Sequence, residues 1–143
     1  MNCLKIAAAR LKPSLGMAKT VLDASALLAF LNGEPGAETV SSVLGDAMIS
    51  AVNFAEAVSK LALRGSQIQE ALSELTDAEV EVVDFDRKLA EATGLLAVFT
   101  RKRGLSLGDR ACLALARREK TTALTADRAW DNIDLGIDIQ FIR

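Results

Sequence analysis

The chain has 143 residues, half of them hydrophobic and a quarter charged, with a formal net charge of −2. That length supports one domain with a sizeable core, and that charge gives no overall electrostatic pull toward nucleic acid or membrane. The sequence has no histidine, so a hydrolytic centre here cannot use imidazole. Residues 1–16 (MNCLKIAAARLKPSLG) spread their basic residues through a short, interrupted apolar stretch, which does not read as a secretory signal. Pro13 and Gly16 set this stretch apart from Met17. It reads as an extension from an upstream start, dispensable for folding, ahead of a domain over 17–143. No apolar run approaches the ~18 residues of a membrane span.

From Met17 onward, short strand-like runs alternate with longer helical ones. Thr20–Leu22 is the first strand candidate. Ser25–Leu31 is a helix stopped by Asn32-Gly33, and Glu34-Pro35-Gly36 turns into a second helix, Ala37–Leu44. Strand Ala47–Ser50 leads into helix Val52–Leu63, which ends at Gly65. Helix Ser66–Leu75 and strand Val80–Val83 follow. Asp86–Arg103 is the longest helical stretch, with Gly94 its weak point. Leu107, Ala111, Ala114 and Leu115 then mark one apolar helix face. Strand Thr122–Leu124, a short turn at Arg128–Asn132 and strand Ile139–Ile142 complete the chain. This alternation predicts an α/β domain whose parallel sheet is covered on both faces.

Cys3 and Cys112 are the only cysteines and form no ligand-spaced cluster. Cys112, within ACLALA, reads as a buried packing thiol, and the chain as the product of a reducing cytoplasm. From Arg101 to Arg128 eight basic residues stand against three acidic ones, a local excess of +5. It reads either as a solvated helix face or as an approach path for a polyanion.

Four acids sit at expected helix starts: Asp23 in TVLDAS, Glu56 in NFAEAV, Asp109 in SLGDRA and Asp127 in LTADRAW. Each suits a plain capping role. Asp23 and Asp127 are placed as caps, and both Asn53–Glu56 and Ser106–Asp109 have capping-box spacing. Jointly they suggest more, because strand C-termini and helix N-termini share one edge of a parallel sheet, where ligands bind. Carboxylates a few ångströms apart repel by roughly 1 to 4 kcal/mol per pair, and a divalent cation offsets that repulsion. An all-oxygen donor set selects Mg²⁺ or Mn²⁺ over zinc. Ser25, Asn53 and Thr125 lie beside the acids as supporting polar groups, Asn53 serving equally as a local cap. Arg110 and Arg128 directly follow two of the acids and are candidates for contacting substrate phosphate or orienting a carboxylate. Trp130, the single tryptophan, reads as packing rather than as a base-stacking platform.

The segments VLDASALLAFLNGEPG, SAVNFAEAVSKL, LSLGDRACLALAR and ALTADRAW resemble, in order and spacing, the PIN-domain ribonucleases, most closely the VapC-type toxins of bacterial toxin–antitoxin pairs. The resemblance covers nearly all of the chain after Met17. It implies a five-stranded parallel sheet flanked by helices and an acidic metal site made by Asp23, Glu56, Asp109 and Asp127. Asp23 and Asp109 would be the first ligands of Mg²⁺ or Mn²⁺, with Glu56 and Asp127 acting directly or through water. The implied activity is endoribonucleolytic hydrolysis leaving 5′-phosphates. The implied partners are an RNA substrate, a second copy of the chain and a cognate antitoxin. The exposed sides of Ala26–Leu31 and Val52–Leu63 are the expected groove for that antitoxin, with ordinary core packing the alternative that claims most of those apolar residues. Two other readings stay open, a catalytically silent PIN-like scaffold that binds RNA or a partner, and a non-toxin RNA-processing nuclease. A receiver-type domain built on Asp23 lacks paired acids before it, and no G-x-G-x-x-G follows a strand, which argues against dinucleotide binding.

A chain beginning at Met17 is expected to unfold cooperatively at an unchanged melting temperature by circular dichroism. Loss of the transition would place essential contacts in residues 1–16.

Overall fold

Five short strands form one parallel sheet in the order β3-β2-β1-β4-β5. They are β1 (Thr20–Leu22), β2 (Ala47–Ser50), β3 (Glu81–Val83), β4 (Ala123–Thr125) and β5 (Ile139–Phe141). The computed structural model describes residues 19–65 and 67–143. The expected extension over 1–16, Cys3, Met17 and the Ser66 end of one expected helix lie outside them. Helices connect the strands: α1 (Ala24–Asn32), α2 (Ala37–Val43), α3 (Ala51–Leu63), α4 (Ile68–Asp77), α5 (Arg87–Leu95), α6 (Ala97–Thr100) and α7 (Leu107–Glu119). The α/β class and the parallel sheet are therefore as the alternating pattern predicts.

Register divides the core into two layers. Val21 pairs with Met48 on one side and Ala123 on the other, and all three join Leu89, Leu96, Trp130 and the apolar residues of α7. Their neighbours Leu22, Ile49 and Leu124 point the opposite way, into a layer built with α1 to α4. Successive side chains leave a strand on opposite faces, so one short run feeds both layers. Strands β2 and β4, which flank the central β1, are buried at every position, as a sheet covered on both faces demands. Cys112 and Trp130 are both packed in the second layer, in line with their packing roles.

Helix α1 is buried along nearly its whole length, including every residue from Ala26 to Leu31. This corrects the expected groove, because α1 has no exposed apolar side. An all-apolar helix is stable only when covered on every face, and here β4, α2 and α3 pack around it. On α3 the exposed large apolar residue is Leu63, 88% accessible, with Ala55 and Ala62 exposed beside the polar positions. A second correction concerns the long helix expected over Asp86–Arg103. It breaks at Leu96, which ends α5 and opens α6, and then tightens into a 3₁₀ turn at Arg101–Arg103. Gly94 lies two residues ahead of the break and resists bending poorly. The Thr100 hydroxyl donates to the Leu96 carbonyl at 2.9 Å, a bond that commonly bends helices. The new direction keeps Leu96 and Thr100 buried and leaves Leu95, Val98 and Phe99 about two-thirds exposed. Among the described residues, no helix is long and apolar enough to cross a membrane.

Gly36 fixes how the α1–α2 turn meets the last strand. Its φ is +96°, and a Cβ there would lie 2.7 Å from the backbone oxygen of Ile142. Arg143 reinforces the junction by donating to the Pro35 carbonyl at 3.0 Å. A left-handed backbone and a missing side chain are both required here. Gly36→Ala is expected to destabilise the fold by about 1–3 kcal/mol, read as a lower urea midpoint without a change in slope.

Candidate active site

Three strand ends meet at the carboxyl edge of the sheet, next to its topological switch point between β1 and β4. Asp23 follows β1, Ser50 ends β2 and Thr125 ends β4. The Asp23 amide donates to the Leu124 carbonyl at 2.9 Å, which locks the ends of β1 and β4 together. Asp23 occupies the cap position of α1, yet its side chain makes no capping bond. It turns inward and is 4% accessible. Oδ2 accepts from Ser25 Oγ at 2.7 Å and from Thr125 Oγ1 at 3.0 Å, and Oδ1 accepts from Asn53 Nδ2 at 3.4 Å.

These partners are themselves held. Ser25 Oγ accepts from the Ala126 amide, and Thr125 Oγ1 from the Asp127 amide, both at 3.0 Å. The Ser50 hydroxyl donates to Asn53 Oδ1 at 2.6 Å, fixing the amide so that its Nδ2 also donates to the Gly108 carbonyl at 2.9 Å. Asn53 therefore joins β1, α3 and the first turn of α7. It is not the cap of α3, as its spacing to Glu56 suggested. Ser50 takes that position and accepts from the Asn53 amide, because α3 starts at Ala51, immediately after the strand. Ser50 and Gly108 are the site's additions to the residues picked from sequence. Ser50 is signalled only by S-x-x-N at a strand end, and Gly108 only by a glycine inside a helix start.

Burial, first of all, pushes the Asp23 carboxyl up from its ordinary 3.8 to about 6. Hydrogen bonds from Ser25 and Thr125 act against that rise, and the charges of Asp109 and Glu56 add to it. The structure thus brings Glu56 and Asp109 within electrostatic reach of Asp23. Asp127 is tied to Asp23 through its backbone amide, which donates to Thr125 Oγ1. Cys112 lies beneath the site, its thiol held protonated by burial and then by the Asp23 and Asp109 charges.

Two of the acids also cap. Asp109 Oδ2 accepts from the Ser106 amide at 2.9 Å, and Ser106 Oγ accepts from the Asp109 amide at 3.1 Å, a complete capping box. Asp127 Oδ1 accepts from the Ala129 amide at 2.9 Å. Glu56 faces Lys60, 3.4 Å away one helical turn on. Placed so, no three acidic side chains among the described residues close into a ligand shell. The donor chemistry nevertheless fits a hard divalent cation: oxygen donors alone, one of them buried and crowded by two like charges. Capping engages one oxygen of Asp109 and one of Asp127 and leaves the other of each for a ligand. Arg110 donates to the Thr93 carbonyl at 3.2 Å. The Arg128 guanidinium lies 4.5 Å over the Phe141 ring.

The shift of Asp23 makes stability depend on pH. Between about pH 4 and 6 the folded chain binds this proton more tightly than the unfolded chain does, so stability falls as pH rises through that window and then levels off. The span is about 3 kcal/mol. Urea midpoints measured in EDTA from pH 4 to 8 are expected to show this decline in the parent chain, and Asp23→Asn is expected to abolish it.

Comparison with functionally curated protein sequences gives no match. Solved structures share the fold. A toxin–antitoxin complex from Klebsiella pneumoniae superposes with a TM-score of 0.70 at 17% identity, over 87% of this chain and 98% of that one. The DNA-bound VapBC of Salmonella typhimurium gives 0.66 at 21% identity, over 89% and 100%. VapC20 of Mycobacterium tuberculosis, a toxin that cleaves the sarcin-ricin loop, gives 0.66 at 18%, over 84% and 99%. The family model of the PIN domain matches residues 20–135, most of the chain, and the chain belongs to the PIN-domain family.

Proposed function

We propose that this chain is a Mg²⁺- or Mn²⁺-dependent endoribonuclease that hydrolyses RNA phosphodiester bonds as the toxin of a toxin–antitoxin pair. The observation that carries this reading is the buried Asp23 carboxylate, raised by burial and crowded by Asp109 and Glu56, at the ligand-binding edge of a PIN domain. Asp23 and Asp109 would hold the cation, with Glu56 and Asp127 completing the site directly or through water. When bound, the ion supplies charge neutralisation at the scissile phosphate and water of lowered pKa. Ser25, Thr125 and Asn53 keep Asp23 aimed at the site. Arg128, exposed beside Asp127, offers its guanidinium edge to substrate phosphate, as do the remaining N–H groups of Arg110. The basic excess between Arg101 and Arg128 supports an RNA approach path.

The toxin–antitoxin and VapBC complexes among the structural neighbours support an antitoxin partner. A second copy is also part of the proposal, and the exposed Leu95, Val98 and Phe99 are the apolar surface available to it. A cytoplasmic location follows from the same reading. The capping bonds of Asp109 and Asp127 favour one competitor, a silent PIN-like scaffold in which those acids serve only the helices.

Cleavage of a mixed tRNA and ribosomal RNA pool separates the two. Discrete cuts bearing 5′-phosphates are expected with Mg²⁺ or Mn²⁺ and not with EDTA. Asp109→Asn is expected to slow them by at least about a hundredfold, as removal of several kcal/mol of metal assistance requires. An uncut pool together with absent Mn²⁺ binding would establish the scaffold.

A further inference from the structure

Gly108 occupies an ordinary helical position in the first turn of α7, between Ser106 as the cap and Asp109 as the third helical residue. Its backbone is not in the left-handed region, so conformational freedom does not account for it. Glycine in a helix is disfavoured relative to alanine, and a reason has to come from what surrounds it. A Cβ at 108 would stand 2.9 Å from Glu56 Oε2, 3.6 Å from Asn53 Nδ2 and 3.7 Å from Glu56 Cδ. On its other side the Glu56 carboxylate meets Lys60 Nζ at 3.4 Å from Oε1. The carboxylate thus lies between a lysine one turn along its own helix and the bare face of the glycine preceding Asp109. The Gly108 carbonyl accepts from Asn53 Nδ2, which holds the first turn of α7 against α3 at that gap.

We propose that Gly108 is a positioning residue of the acidic site: its missing side chain sets where the Glu56 carboxylate stands relative to Asp109 and Asp23. The atom a methyl group would strike is the far end of a flexible side chain. Gly108→Ala therefore leaves the backbone in place and displaces the carboxylate. Its functional consequence rests on the metal-site reading above; its structural consequence does not.

The test uses Gly108→Ala in the full chain with three readouts. The melting temperature is expected to hold or rise, since alanine favours the helix. The ¹³C resonance of the Glu56 side-chain carboxyl in metal-free protein, assigned with Glu56→Gln, is expected to shift. Mn²⁺ affinity by calorimetry is expected to fall about tenfold or more, and not to fall further when the same change is made in Glu56→Ala, where nothing is left to displace. An unmoved Glu56 resonance overturns the proposal. So does an equal affinity loss in the Glu56→Ala background, which would route the effect elsewhere. Loss of cooperative unfolding in Gly108→Ala also overturns it, assigning the gap to packing of α3 on α7. Parent protein that binds no Mn²⁺ overturns the metal-site reading instead, and the carboxyl resonance then decides the role of Gly108 alone.

Discussion

The arrangement of this domain turns on keeping one carboxylate out of water. A buried ionised acid is tolerated only when hydrogen-bonded or paired. Asp23 meets that condition with hydroxyls from Ser25 and Thr125 and an amide from Asn53. These donors come from three separate stretches of chain, and Thr125 is 102 residues from Asp23. Supplying them fixes the relative position of β1, β4 and α3. The same strands carry Val21, Leu22, Ala123 and Leu124 into the two core layers, so packing and polar satisfaction impose one geometry. Agreement between levels is what singles out one folded state.

The hydrogen bonds do not fully compensate the burial, since the Asp23 carboxyl still rises to about 6. The fold maintains a destabilised group at its ligand-binding edge. Strain concentrated at such a position is common at functional sites and is offset by the surrounding structure. Here the compensation is the apolar packing of α1 beneath one side and of α7, with Cys112, beneath the other.

Much of this was readable from the residues in order. The β-branched and apolar runs at Thr20–Leu22 and Ala47–Ser50 gave strands with those bounds, because short apolar runs between turn signals have few alternatives. The Ser106–Asp109 box formed as its spacing predicts. Where local signals compete with tertiary ones, the reading failed. The Asn53–Glu56 spacing imitates a cap, but the strand ends so late that Ser50 must serve, which frees Asn53 to reach across to Asp23. The helical pattern over Asp86–Arg103 marks only Gly94 as weak, and the break falls two residues later at Leu96, where the Thr100 hydroxyl bonds back to the helix. The covering of α1 by α2 and α3 was likewise invisible, since periodicity reports one helix face and not what lies against it. Asp23 and Asp109 stand at helix starts as their local sequence suggests, whereas Glu56 lies in the second turn of α3 and comes within electrostatic reach of Asp23 from there. The dual engagement of Asp109 and Asp127 in caps was foreseen only as an alternative to the site, and the structure has those bonds within it.

The capping box at the start of α7 has a consequence for inheritance. Asparagine can accept the same backbone hydrogen bond as aspartate, so exchanging Asp109 for its amide spares the helix while altering the acid. The fold thus penalises that change only by the lost attraction of a charge for the helix start, about 0.3–1 kcal/mol. Lineages of such domains can shed an acidic residue and remain folded, and a descendant of this kind would still present every surface by which its ancestor was bound. Folding alone therefore does little to hold an acid at this position.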